Sequence, residues 1–450
     1  MNKLLLFLTS GLFIFSSCQE ANNPSPATNP NLRLVSTPLD EPTISISRSE
    51  YLDHLYGFWL GQSIANWTGL ITEMDKIGNM GDIKTGDFYT RNDWGKPDQP
   101  SIWAEGVPSD LSPTIGFIFA DKDSIWGSDD DTDIEYIYQE LLLNNKTSVL
   151  TPKQISDGWI KHIHQEEENY LWVSNQKAFD LMLEGYLPPA TSDPSINEHY
   201  DMIDAQLTTE IFGLYAPGYS SKSLEMAYLP IRTTASKEAA EIAEFYVRMY
   251  NSLTVDTKSD LKIAASEGRK AMNNDSYPAK MYDFILSQYE QQIPWEAVRD
   301  AVYQRYQVEQ KDGYDVTSRD LYCNGCFAAG INYAASLISL FYGEGSFSET
   351  VKIAVLCGWD SDNPAATWGG LLGFRLGKTG LEKEFGRTFS GLFNIHRTRK
   401  GFDNEGIDTF ENMALKGLWV IDRVVQEELN GKVDQTGSYW YLPEPITKLN

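Results

Sequence analysis

Two acid-rich turns hold the side chains of this chain best suited to chemistry. One is Trp126-Gly127-Ser128-Asp129-Asp130-Asp131-Thr132-Asp133, and the other, far downstream, is Gly358-Trp359-Asp360-Ser361-Asp362-Asn363-Pro364. Carboxylates at this density repel one another unless a cation lies among them, and hard oxygen donors suit Mg²⁺ or Mn²⁺. Asp129, Asp130, Asp131, Asp360, Asp362 and Asn363 are therefore candidate ligands of a divalent-metal centre, one half in each turn. Each turn also opens a stretch with helical spacing. Ile134, Ile137, Tyr138, Leu141 and Leu142 follow the first, and Leu371, Leu372, Phe374 and Leu376 follow the second, where Pro364 suits a first helical position. Free N–H groups and the helix dipole favour acids there, so capping accounts for either turn alone. An Asp-x-Asp in both turns favours a metal.

Other residues carry weaker signals. Trp67, Trp126 and Trp359 sit beside the proposed acids in the chain, and aromatic faces stack on sugars, which makes the three candidate substrate-binding residues. Glu73 follows a Gly-containing helix end; a catalytic carboxylate facing a cleft and an ordinary surface Glu both fit it. Gly57 and Gly61, four apart on an apolar helix, read as a close helix contact. Glu166-Glu167-Glu168 reads as a solvated face. Cys323, Cys326 and Cys357 lack the second pair or His cluster that would complete a zinc site, and read as buried thiols or one disulfide in helical apolar stretches.

The elements that must position these groups are helical. Helical spacing runs near 48–66, 111–120, 131–144, 152–164, 174–185, 199–213, 236–253, 258–272, 277–291, 294–305, 320–342, 346–356, 364–377 and 408–430, while strand alternation is scarce. Segments 74–110 and 186–198 read as long loops of the kind that carry function. The fold class expected is all-α, an irregular orthogonal helical bundle. Residues 1–18 have Lys3, an apolar run from Leu4 to Phe15 and Ser16-Ser17-Cys18, which resembles a bacterial lipoprotein signal peptide ending in a lipidated cysteine. Residues 19–45 are rich in Asn, Pro, Ser and Thr, as expected of a disordered tether, and 46–450 form the folded domain. The expected location is the bacterial cell envelope, with membrane attachment only through lipidated Cys18. A net charge of −26, from 63 acids and 37 bases, opposes nucleic-acid backbones as partners.

An ordered set of blocks resembles the ADP-ribosylglycohydrolase family. They are the Gly57-to-Gly61 helix, Asp130-Asp131-Thr132 with Asp133-Ile134-Glu135, Ala205-Gln206-Leu207 with the Phe212-to-Gly218 segment, Leu340 to Phe347, and Ala354 to Asn363 with Ala365-Ala366 and Gly369 to Gly373. The resemblance implies an all-α domain with a dinuclear Mg²⁺ or Mn²⁺ centre that hydrolyses an N- or O-glycosidic bond of an ADP-ribosyl-type sugar. It implies ligand roles for Asp130, Asp131, Asp360 and Asp362. Departures are Asp129 where the family has Thr or Ser, Asn363 where it has Thr, and Gln62 where it has Asp; Glu73 matches the family's downstream Glu loosely. An envelope location points to a glycan, nucleoside or nucleotide-sugar substrate. The competing expectations are a non-catalytic, cation-dependent sugar-binding lipoprotein and a purely structural calcium site.

Overall fold

The computed structural model describes residues 29, 32–35, 43–102, 111–166, 169–395 and 398–444. The chain is 57% helical, with 14 α-helices among the described residues. In the first half these are α1 (Arg48–Gly69), α2 (Asp130–Asn144), α3 (Pro152–His162), α4 (Val173–Leu183), α5 (Asp204–Thr208), α6 (Ser220–Thr234) and α7 (Lys237–Asn251). The second half has α8 (Leu261–Lys270), α9 (Tyr277–Glu290), α10 (Trp295–Val302), α11 (Ala329–Gly343), α12 (Phe347–Cys357), α13 (Asp362–Phe385) and α14 (Phe410–Glu427). Their buried apolar residues join into one core cluster. No helix among the described residues is long and apolar enough to cross a membrane.

α1 and α13 form the central pair, and glycine is the reason they can. Their contacts run antiparallel: a Cβ on Gly57 would lie 2.6 Å from Gly377 Cα, one on Gly61 would overlap the Gly369 carbonyl and lie 2.8 Å from Gly373 Cα, and one on Gly69 would overlap Asp362 Cα. Backbone thus meets backbone, and the end of α1 is brought against the start of α13. The first turn of α1 is fixed by Ser47, whose hydroxyl accepts from Glu50 N at 3.3 Å. Arg48, fully buried, pairs with Asp422 of α14 at 2.8 Å.

Strands are few and short, in keeping with the scarcity of alternation in the sequence. β2 (Thr43–Ser47) pairs antiparallel with β9 (Tyr439–Pro443), β9 with β8 (Lys432–Asp434), and β8 runs parallel to β1 (Leu34–Val35). Asn29 is buried and donates to Asp422 at 3.2 Å. The described parts of 19–45, read as tether, are therefore held against the domain. The signal-peptide reading of residues 1–18 lies outside the described residues. β5 (Trp126–Gly127) lies parallel to β6 (Leu392–Asn394), which pairs with β7 (Ile407–Thr409), and β3 (Asn79–Met80) with β4 (Ile83–Lys84) forms a small hairpin.

Several helix boundaries also depart from the sequence spacing. Residues 111–120 are irregular, and 199–213 breaks into α5 and a 3₁₀ turn over Glu210–Leu214. The stretch before Ala329 is a tight turn closed by a Cys323–Cys326 disulfide, with Cys323 and Gly325 in the left-handed region; of the three downstream cysteines Cys357 remains a free, buried thiol. α6 carries Pro230 in its interior, which hides its helical pattern.

Gly61→Ala tests the close contact. Ala is the better helix former by about 1 kcal/mol, yet overpacking against α13 should lower the unfolding free energy by about 1–3 kcal/mol, read from urea denaturation.

Candidate functional site

The first acid turn leaves β5 and enters α2. Trp126 anchors it by donating its indole N–H to Ser390 O at 3.1 Å. Asp129 is the N-cap: its Oδ1 accepts from Asp130 N at 3.0 Å, its Oδ2 accepts from Asn66 Nδ2 of α1 at 3.1 Å, and its own N–H donates to Thr132 Oγ1 at 3.2 Å. Capping therefore operates here, but it employs one of the three successive acids. Asp133 points elsewhere, into a buried pair with Arg399 at 2.9 Å and a 2.6 Å bond from Thr398 Oγ1.

The second turn reverses at Gly358 and Trp359, whose φ values of +89° and +60° lie in the left-handed region. It is sewn to the loop after α1: Met74 N donates to Trp359 O at 2.9 Å, and Trp359 N donates to Lys76 O at 2.8 Å. Ser361 Oγ donates to Gly69 O at 3.0 Å, and Asp360 N to Asn332 Oδ1 of α11 at 3.2 Å. These bonds hold Glu73 beside Asp360 and Asp362. Thus Glu73, Asp360 and Asp362 each offer a carboxylate oxygen within 4.8 Å of the others, and so do Asp129, Asp131 and Asp362. The two triads share Asp362. They open on a cavity of about 380 Å³ whose lining also includes Asp130 and Asp204, making seven carboxylates.

A family model described as ADP-ribosylglycohydrolase matches residues 47–400. The chain belongs to the ADP-ribosylglycohydrolase family. A solved structure described as an ADP-ribosylglycohydrolase-related protein complex is 17% identical, covering 83% of this chain and 98% of that one with a TM-score of 0.42. The chain matches no curated protein.

The electrostatics of this ADP-ribosylglycohydrolase cavity are one-sided. Two unit charges 4 Å apart at a protein surface repel by about 4 kcal/mol. Among the described residues, no Lys, Arg or His lines the cavity or pairs with its acids. Enclosure, then the neighbouring Asp362, Asp129, Asp130 and Asp75, hold the Glu73 carboxyl well above its ordinary range. Asp130, Asp131 and Asp360 are raised by the same two causes in the same order. Asp362 is pushed up to about 7, first by burial and then by Asp129. No N–H or O–H of the described residues donates to its buried Oδ1. A donor set made of oxygens, uncompensated by protein cations and sharing one carboxylate, fits hard divalent cations.

The expected site residues divide. Asp129, Asp130, Asp131, Asp360, Asp362 and Glu73 converge on the cavity. Asn363 does not: its Oδ1 accepts from Gln206 at 3.0 Å while its Nδ2 donates to Asp131 Oδ1 at 3.0 Å, so it orients Asp131 and is corrected from ligand to positioning residue. The three tryptophans are corrected too. Trp359 is fully buried and donates to Gln307 at 2.8 Å, Trp126 is buried on Ser390, and Trp67 donates to Gly127 O at 3.1 Å; none lines the cavity. Adjacency in sequence to an acid did not make them adjacent to its free oxygens. The aromatic wall is instead Tyr170, Trp172, Tyr322 and Phe327, the first three exposed. Asp204 was also missed; it is buried, accepts from Asn175 N at 3.1 Å and is pushed up to about 6, chiefly by burial. Its one sequence signal was the adjoining Ala205-Gln206-Leu207 block.

In chelator, a carboxyl raised to about 7 when folded and near 3.8 when unfolded keeps its proton longer in the folded chain. Stability should then fall as pH rises through that window and stay low above it. Thermal melts in EDTA across it should show the decline, and Mg²⁺ or Mn²⁺ at about a hundred times Kd should add about 2.7 kcal/mol at neutral pH. Asp362→Asn should lose the cation-dependent shift.

Proposed function

We propose that this family member is a divalent-metal-dependent glycosidase that cleaves an N- or O-glycosidic bond in a sugar-containing small molecule, whether ADP-ribosyl, nucleoside or glycan. The observation that carries this reading is the pair of carboxylate triads sharing Asp362 at an otherwise uncompensated cavity. Asp129, Asp131, Asp360 and Asp362 would hold one or two Mg²⁺ or Mn²⁺ ions, with the Glu73 carboxyl beside them. Such an ion, when bound, supplies a water of lowered pKa and offsets negative charge in the site.

The remaining work falls to the chain's own groups. Glu73 is the partly exposed member of its triad. Enclosure is the first cause of its raised carboxyl, and enclosure persists when the aspartates' charge is offset. That enclosure favours the protonated carboxyl, and its place beside the aspartates suits Glu73 to deliver a proton to the leaving-group oxygen or nitrogen as positive charge grows at the anomeric carbon. Asp130 lines the cavity outside both triads, free to accept from sugar hydroxyls. Gln206 and Asn363 hold Asp131 in one orientation, so its oxygens are aimed before substrate arrives. Tyr170 and Trp172, exposed at the mouth, offer faces for a sugar ring. The proposed setting is the cell envelope, with Cys18 lipidated; the composition of residues 1–18 supports it.

Asp131→Ala and Asp360→Ala should each abolish sugar release from ADP-ribosyl and glycoside substrates while the far-ultraviolet circular dichroism stays helical. Glu73→Gln should lower kcat by about 100-fold or more. Undiminished turnover in excess chelator would contradict the reading, and saturable cation-dependent binding without product would replace the enzyme with a sugar-binding protein.

A further inference from the structure

A second cavity, of about 630 Å³, adjoins the carboxylate cavity. Tyr322 lines both. Glu73 faces the first and Asp75 the second, and two residues of chain span at most about 7 Å, the scale of one sugar ring. The divider between the two spaces is built. Tyr322 stacks on Phe327 with the rings 10° from parallel and centroids 6.2 Å apart, across the turn that the Cys323–Cys326 bond closes.

The second cavity differs in chemistry from the first. Asp75 is buried and accepts from Tyr89 OH at 2.9 Å, and the same phenol reaches Asp98 at 2.8 Å. Gln99, tied to Asp75 O through its Nε2 at 3.0 Å, leaves its amide oxygen for other partners. Ser101 adds a hydroxyl, and on the rim exposed Asp82 offsets the charge of exposed Lys84. No arginine lines either cavity among the described residues, so a pyrophosphate would find no guanidinium fork. Carboxyl, amide and hydroxyl groups beside an aromatic edge suit a ligand rich in hydroxyls and without charge.

We propose that the second cavity is a subsite for a neutral, polyhydroxylated group, a second sugar residue joined to the unit that is cleaved at the carboxylate cavity. It rests on the glycosidase reading above for which bond is broken, and it makes the substrate an oligosaccharide or glycoside that straddles Tyr322. Gln99 and Tyr322 are specificity-determining residues in this account.

Binding by the full chain is tested in EDTA, where no turnover depends on a cation, using saturation-transfer NMR with α- and β-linked gluco-, galacto-, manno- and xylo-configured disaccharides, their monosaccharides, and ADP-ribose. At least one disaccharide should bind about tenfold more tightly than its monosaccharides. Gln99→Ala and the cavity-filling Ser101→Trp should each weaken it about tenfold with an unchanged melting temperature. Absence of disaccharide binding, or insensitivity to both variants, overturns the subsite. Hydrolysis is measured separately with Mg²⁺: cleavage of ADP-ribosyl substrates without disaccharide binding sinks the subsite alone, whereas disaccharide binding without any cleavage sinks the glycosidase reading and leaves the subsite.

Discussion

The backbone contact between α1 and α13 is the constraint from which the site follows. Side chains normally keep helix axes 8–10 Å apart; here Gly57 and Gly61 face Gly369 and Gly373, and Gly69 meets Asp362. Because the pair is antiparallel, the last turn of one helix and the first turn of the other converge. Everything that carries the chemistry is hung on that junction. The loop holding Glu73 leaves α1 there, Asp360 and Asp362 enter α13 there, and Asn66 reaches from α1 to Asp129. A gap of one methyl group along the stripe would separate carboxylates that now stand within 4.8 Å of one another.

The rest of the molecule shows how this fold treats buried acids when no ligand is involved. Asp422 accepts from Arg48 through both oxygens and from Trp440. Asp133, two residues from the site, receives Arg399 and Thr398. Glu135 takes Gln62 and the Ile211 N–H. Each is satisfied by donors, as burial of charge requires. Glu73, Asp130, Asp131 and Asp360 stand out against this background, since after burial their chief influences are neighbouring carboxylates. A cluster of acids that departs from the local rule is the mark of a functional site. Gln62 also accounts for its own departure from the family pattern, because an acid there would have faced Glu135.

The sequence carried the two acid turns, the helical class and the tight glycine contact because each has a local signature: an Asp-x-Asp at a helix start, a period of 3.6, two small residues four apart. What it could not carry depends on partners distant in the chain. The strands at both ends are two to five residues long and pair across nearly the whole sequence, too short for alternation to register. The tryptophans were misplaced because sequence proximity says nothing about which way a side chain turns; Trp359 follows a left-handed glycine and swings into the core. Asp204 and the Tyr170–Trp172 wall lie on segments with no acid motif of their own. Asn363 was right in place and wrong in role, a distinction fixed only by Gln206 on the facing helix.

The bond between Cys323 and Cys326 makes the wall of the cavity sensitive to redox conditions. Such bridges persist in oxidising surroundings and are opened by the thiol pools of the cytosol. The turn it closes carries Tyr322 and Phe327 on its two flanks, so the shape of the aromatic wall is tied to the redox state of the compartment. A chain kept in reducing cytosol would have the same acids at its junction but an untied wall beside them.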